Sequence, residues 1–262
     1  MLVETIGDDP RLAIFRDLRG QRHEGYFVCE GRLVVERLLG SPWETVALLI
    51  AERKRPWLEK VPRLPPETPV YVIPDSEIDS LVGFQFHSGI LAAGRRDQPQ
   101  VLSDGVAAWR LPHTSGTLLA CPHLDLEENL GSILRSVRAL GGNGILVDHR
   151  APDPLSRRVL RVSMGHSMSV PILRADDLAT AIAELKVEGY RVIAMEAAPE
   201  MTPLREAVVG ERQLLILGNE FAGIPSTLQE LADETVGIPM ATEVDSLNVA
   251  VTAALALHHY CR

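Results

Sequence analysis

The feature that most limits what this chain can fold into is the alternation of apolar strands with helical segments after residue 115. TLLACP (117–122), GILVD (144–148), MSVPILR (168–174), YRVIAM (190–195), QLLILG (213–218) and TVGIPM (235–240) read as strands. Helical patterns fall between and after them, near 128–140, 153–164, 175–188, 201–209, 224–232 and 246–261. Several of the strands are continuous apolar runs, which suit strands covered on both faces. The pattern predicts a doubly wound, mostly parallel α/β domain of about 150 residues, an ordinary domain size. Ligands of such open sheets sit outside the carboxyl ends of the strands. The loops after LLACP, GILVD, LLILG and VGIPM are therefore the expected site.

Ahead of this block, ETVALLI (44–50), PVYVI (69–73) and GILAAG (89–94) read as strands, with helical patterns at RLVVERLL (32–39) and DSEIDSLV (75–82). They predict a smaller α/β unit. The stretch 95–115 is polar and lacks sustained periodicity, the signature of a boundary. The expected organisation is an α/β domain over 1–100, a linker over 101–114 and the larger domain over 115–262.

Composition narrows the class. No run approaches the roughly 18 apolar residues of a membrane span, and the acidic MLVETIGDDP has no apolar core for a signal peptide. Cys29, Cys121 and Cys261 are far apart, odd in number and form no CxxC pair. The expectation is a cytoplasmic protein without a structural zinc. The eight histidines form no HExxH or HxxxH pattern, so no metal is expected. The net charge of −9 speaks against a general nucleic-acid binder. Within 129–165, however, Arg135, Arg138, Arg150, Arg157, Arg158 and Arg161 face only Asp148 and Asp153. On charge alone, an Arg-rich helix paired with acidic neighbours is the better reading of that island.

Three segments at the expected strand ends carry polar residues in unusual concentration. In NLGSILRSVRALGGNG (129–144), Asn129 is a good N-cap, and Arg135 and Arg138 share a helix face. GGNG follows a helix and precedes a strand, so it reads as a helix stop. A dinucleotide fingerprint needs the reverse order, so an oxidoreductase with a nucleotide cofactor lacks its signature here. In LILGNEFAGIP (215–225) an apolar strand runs into Gly218, and Glu220 places a carboxylate at its tip. Alone, this is an ordinary strand-turn-helix. In IPMATEVDSLNVAVTAALALHHY (238–260), Asp245 or Ser246 can cap an apolar helix whose first turn holds Ser246 and Asn248. Free backbone N–H groups there can meet a ligand. Alone, Ser246 is a simple cap.

Taken together, NLGSILR, LGNEFAG and IPMATEVDSLN resemble the signature of the SpoU (TrmH-like) RNA ribose methyltransferases of the SPOUT class. Order and spacing both fit, VSMGHSMSVPI (162–172) looks like the family's intermediate segment, and the likeness covers roughly residues 115–262. FVCEGRLVVERLL (27–39) and HSGILAAG (87–94) resemble, more distantly, the family's RNA substrate-binding domain. The likeness implies a C-terminal sheet carrying a trefoil knot, one of the rare exceptions to unknotted topology. It implies a homodimer joined through the knot region and S-adenosylmethionine as cofactor. The cofactor would be held by Leu217, Gly218, Ile238, Met240 and Leu247.

The implied reaction is methyl transfer to a ribose 2′-hydroxyl of structured RNA, ribosomal RNA favoured over transfer RNA. Of the residues carried over, Arg135 orients the hydroxyl or a neighbouring phosphate, since a guanidinium is a poor proton acceptor. Glu220 pairs with Arg135, and Asn129, Ser246 and Asn248 complete a hydrogen-bonded floor. The alternative is an RNA-binding protein that keeps a methyltransferase fold without catalysis.

Overall fold

The computed structural model describes residues 2–19, 25–61, 64–96, 102–103, 106, 115–197, 200–219, 222–241, 243–244 and 246–261. The chain divides into two compact units, one of Met1–Gln98 with Pro154–Met168, the other of Pro99–Asp153 with Ser169–Arg262.

The first unit is built on strands β1 (Leu2–Glu4), β2 (Tyr26–Glu30), β3 (Thr45–Ala51), β4 (Val70–Ile73) and β5 (Ile90–Arg95). They form one mixed sheet in the order β1-β4-β3-β5-β2. Helices α1 (Arg32–Leu39), α2 (Arg55–Leu58) and α3 (Ile78–Val82) connect them. Leu49, Ala51, Tyr71, Ile73, Leu91 and Ala93 alternate along three strands and share a core with Leu12, Phe15, Ile78 and Phe86. The period of two is the pleat of a strand, and the alternate Leu48, Ile50, Val70, Val72, Ile90 and Ala92 are equally buried on the other face.

The second unit carries an eight-stranded sheet. Its strands are β6 (Leu102–Ser103), β7 (Gly116–Cys121), β8 (Gly144–Val147), β9 (Ile172–Arg174), β10 (Arg191–Met195), β11 (Thr202–Pro203), β12 (Arg212–Leu217) and β13 (Glu234–Gly237). The order is β11-β13-β10-β12-β7-β8-β9-β6, and every pairing is parallel. All strands therefore present their carboxyl ends at one edge. Leu118, Ala120, Leu214 and Ile216 point to one core face, while the intervening Leu119, Cys121, Leu215 and Leu217 are equally buried. Both faces are covered, as the unbroken apolar runs require.

Helix α4 (Glu127–Leu140) buries Leu130, Ile133, Leu134 and Val137 in the i, i+3, i+4, i+7 stripe of an amphipathic helix. It stops at Gly141, where the Gly142 N–H returns to the Val137 carbonyl at 2.9 Å. Helix α5 (Arg157–Val162) lies between β8 and β9 in the chain but packs within the first unit. Arg157 donates to the Leu18 carbonyl at 2.7 Å and to Glu30 at 3.0 Å, with its guanidinium 4.5 Å above the Phe84 ring. Part of the basic island is thus paired, as charge alone suggests. Helices α6 (Leu178–Val187), α7 (Ser226–Gln229) and α8 (Val249–Tyr260) complete the second unit, with α8 packed along α4.

Five local expectations change. The helix expected at 201–209 is the short edge strand β11 followed by a 3-10 turn at Leu204–Glu206. Thr202 and Pro203 pair with Val236 and Gly237, and Pro203 has no N–H for a helix interior. Asn129 does not cap α4, which begins two residues earlier after Leu126. Asn248, rather than Ser246, caps α8, and Asp245 lies outside the described residues. The strand expected from 168 begins only at Ile172, because His166–Met168 coil into a 3-10 turn. Of the stretch read as a linker, Leu102–Ser103 pair with β9 and Val106 is buried in the second unit's core. Among the described residues no helix is long and apolar enough to cross a membrane, and no cluster of His, Cys, Asp and Glu could hold a metal.

Candidate functional site

A cavity of about 230 Å³ opens at the carboxyl edge of the second unit's sheet. Its walls come from the ends of three adjacent strands and the start of α8: Met195–Ala197, Leu217–Asn219, Gly237–Ile238, Met240, Ser246–Leu247, Val249 and Thr252, with Gly223 and Ile224. Leu217, Gly218, Ile238, Met240, Ser246 and Leu247, all singled out from the sequence, lie together here.

Backbone shapes this cavity as much as side chains do. After β12 the chain turns tightly, with paired bonds between Asn219 and Gly223: Gly223 N–H to Asn219 O at 2.9 Å and Asn219 N–H to Gly223 O at 3.2 Å. Gly223 holds a left-handed φ of 65°, which glycine adopts without steric penalty. A Cβ at Gly218 would meet the Gly223 carbonyl carbon at 2.7 Å and the Ile224 nitrogen at 2.9 Å. Only glycine fits that strand end.

A second cavity of about 140 Å³ adjoins the first and shares Gly218, Asn219 and Val249 with it. Its other walls are Cys121–Leu126, from the loop after β7, and Asn129. Asn129, 7% exposed in the first turn of α4, accepts from Asn248 Nδ2 at 3.0 Å. Asn248 also accepts the Ala250 N–H at 2.9 Å through Oδ1, so one amide caps α8 and ties it to α4.

His123 sits on the rim of the second cavity with φ 55°, uncommon for a residue with a Cβ. Buried Asp148, at the end of β8, holds it there: Oδ2 accepts the His123 N–H and Oδ1 the Arg150 N–H, each at 2.9 Å. Asn219 Nδ2 binds the His123 carbonyl at 3.0 Å, and the Arg150 guanidinium meets the ring Nδ1 at 3.0 Å. Burial pushes the Cys121 thiol well above the usual range, with the Asp148 charge adding to the rise. A thiol so protonated is no nucleophile.

The other singled-out residues fall differently. Arg135 is exposed on α4 and is not among the cavity walls. Six residues beyond Asn129, it lies about 9 Å along the helix and roughly a third of a turn away. Glu220 lies outside the described residues, so its pairing with Arg135 is not part of this geometry. Sequence reasoning missed Glu196, Asn219 and Val249 as wall residues, and His123 with its Asp148 clamp. The strand-end rule could have found Glu196 and Asn219, each the first or second residue past an apolar run. Nothing in the sequence marks His123 and Asp148 as partners.

Comparison with known proteins places this architecture. The family model for the SpoU rRNA methylase family matches residues 117–258. A Mycobacterium bovis protein named as an uncharacterized tRNA/rRNA methyltransferase is 35% identical over 265 residues, spanning 97% of this chain and 90% of its own length. The AdoMet-bound rRNA methyltransferase of Sinorhizobium meliloti superposes with a TM-score of 0.80 at 23% identity, covering 98% of this chain and 97% of that one. A solved RNA 2′-O-ribose methyltransferase superposes with a TM-score of 0.78 at 24% identity, covering 99% and 97%. A family model matched over more than half the chain, and a relative aligned over nearly its whole length, lead to one conclusion: this chain belongs to the SpoU rRNA methylase family.

Proposed function

We propose that this protein transfers a methyl group from S-adenosylmethionine to a ribose 2′-hydroxyl of RNA, with ribosomal RNA the preferred substrate over transfer RNA. The observation that carries the reading is that Leu217, Gly218, Ile238, Met240 and Leu247 line one cavity, next to a second that is lined by Asn129, the partner of Asn248. The residues fit the cofactor's chemistry. Without a side chain, Gly218 lets the Gly223–Ile224 backbone close in as part of the cavity wall, and Leu217, Ile224, Ile238, Leu247 and Val249 offer apolar surface for a flat base.

When bound, the sulfonium supplies the electrophilic methyl group and its own leaving group. The chain's task is then to position the hydroxyl and relieve it of charge and proton. Asn129, held by Asn248, gives the second cavity a fixed polar wall beside the first. Arg135, free of the cavity wall and facing solvent, suits a flanking phosphate or the developing alkoxide. Glu220, by resemblance, orients Arg135. The proton acceptor is an RNA phosphate oxygen or water.

The same reading carries a trefoil knot in the C-terminal segment and a homodimer formed through it. Val251 and Leu255, 47% and 42% exposed and one turn apart on α8, offer an apolar stripe to a second copy. Calorimetric titration with S-adenosylmethionine tests the cofactor, and labelled-methyl incorporation into unmodified ribosomal against transfer RNA tests the substrate. Micromolar binding and preferential labelling of ribosomal RNA are expected. Absence of binding by the folded protein, alone and with RNA, would remove the reading.

A further inference from the structure

Among the described walls of the larger cavity there is a single charged side chain, Glu196, at the carboxyl end of β10. Hydrogen bonds hold it at both backbone and side chain. The Glu196 N–H bonds the Val236 carbonyl at 3.0 Å, fixing the backbone to β13. Oε2 accepts Gln229 Nε2 at 2.6 Å, and that same amide nitrogen lies 3.0 Å from the Ile224 carbonyl. Oε1 lies over Gly223, where an added Cβ would come within 2.8 Å of it, and has no hydrogen-bond partner among the described residues. A carboxylate offers about four lone-pair positions, and one amide donor occupies one of them.

We propose that Glu196 is the acceptor for the ribose 2′,3′-diol of the bound cofactor. The inference rests on the methyl-transfer reading above and adds a residue to it. Of the parts of S-adenosylmethionine, the methionine end presents a carboxylate beside its ammonium. The described cavity walls hold no Lys or Arg to receive that carboxylate, so Glu196 would repel one half of that end while attracting the other. The adenine ring has one exocyclic amine donor among its acceptor nitrogens, so it can give a carboxylate one donor group where the diol gives two hydroxyls. Its faces suit the apolar walls. The diol offers two neutral O–H donors and no charge, which a two-oxygen acceptor matches. An acidic residue near a strand end pairs with ribose hydroxyls in dinucleotide-binding sheets for the same reason. β10 is also two strands from β7 across β12, on the order of 10 Å. That places Glu196 away from the β7–α4 edge where Asn129 stands, and so away from the reacting methyl.

The test is a cycle by titration calorimetry, using S-adenosylhomocysteine and its 2′,3′-dideoxyribose analogue on the wild-type protein and on Glu196→Gln. The wild type should bind the analogue about tenfold more weakly, equivalent to about 1.4 kcal/mol. Glu196→Gln, with an unchanged melting temperature, should bind S-adenosylhomocysteine about tenfold more weakly than wild type and separate the two ligands by less than about twofold. Should Glu196→Gln fold poorly, Gln229→Leu removes the amide that holds Oε2, together with its bond to the Ile224 carbonyl, and leaves the carboxylate in place. It should weaken S-adenosylhomocysteine several-fold and leave the analogue unchanged. Wild-type affinity in Glu196→Gln, or the same loss on removing the diol in both proteins, would overturn the proposal. A folded wild type that binds neither S-adenosylhomocysteine nor S-adenosylmethionine would instead overturn the methyl-transfer reading itself.

Discussion

Asn248 Nδ2 meets Asn129 Oδ1 at 3.0 Å across 119 residues of chain, while Asn248 Oδ1 caps helix α8. One side chain therefore serves two ends of the fold: it starts the C-terminal helix and holds it against the helix that bears Arg135. Asn248→Ala should cost about 1 kcal/mol from the lost cap, and more because buried Asn129 loses a partner. Asn248→Ser retains a capping oxygen but not the reach to Asn129. It should keep most of the thermal stability while methyl transfer falls. Paired melting curves and turnover measurements separate the two roles, and equal behaviour of both variants would refute the division.

Arg135 is exposed, so its removal should leave the fold untouched. Arg135→Ala is expected to lose at least about a hundredfold in turnover, the scale of losing one transition-state donor. Cofactor affinity should change less than about threefold. Arg135→Lys keeps the charge but not the planar fork of donors, and should not restore activity. Near-normal turnover in either variant would show that the side chain has no part in the chemistry.

Gly218 stands where a side chain would collide with Gly223 and Ile224 backbone rather than with a flexible side-chain tip. Gly218→Val should therefore displace the turn after β12 and abolish S-adenosylmethionine binding in calorimetry. A destabilisation of about 1–3 kcal/mol should accompany it, the usual cost of overpacking. Wild-type affinity in this variant would show that the cavity is not the cofactor's seat.

Tyr260 supplies a pH signature. It is 2% exposed, and its hydroxyl has no hydrogen-bond partner among the described residues. Burial, with the Glu234 charge adding to it, pushes its pKa up to about 12 from an ordinary value near 10. Because the folded value lies above the unfolded one, the neutral phenol's contribution is complete below pH 10 and is lost as pH rises toward 12. Tyr260→Phe should remove that alkaline loss and stabilise the protein by about 1 kcal/mol at neutral pH, since an unpaired buried hydroxyl is costly. Urea titrations at pH 7 and pH 11 read both effects.

Much of this architecture is legible in the sequence because burial on both faces leaves apolar runs that no surface strand can carry. TLLAC, GILV, RVIAM and LLIL all became central strands. Asn129, Gly218, Ser246 and Asn248 are likewise legible, since each sits at a strand end or helix start where polar groups are conspicuous. Their partners are not. The Asn129–Asn248 bond joins segments brought together only by the packing of α8 on α4. Glu196 belongs to no motif, and its carboxylate reaches the cavity because the sheet order sets β10 between β12 and β13. The 201–209 segment reads as a helix because Leu204, Ala207 and Val208 carry helical spacing. Edge pairing at Thr202–Pro203 overrides so short a pattern, leaving Val208 67% exposed. Helix α5 shows the same limit: its arginines read as a basic island, but Arg157 is paired to Glu30 of the first unit.

The most direct test of the central claim is the chemical position of the transferred methyl group. Unmodified ribosomal RNA is incubated with the protein and methyl-labelled S-adenosylmethionine, then hydrolysed in alkali, which cleaves only beside a free 2′-hydroxyl. The account predicts label in alkali-resistant dinucleotides that yield a 2′-O-methylnucleoside on enzymatic digestion, and none with Arg135→Ala. Label released in mononucleotides carrying a methylated base would contradict it.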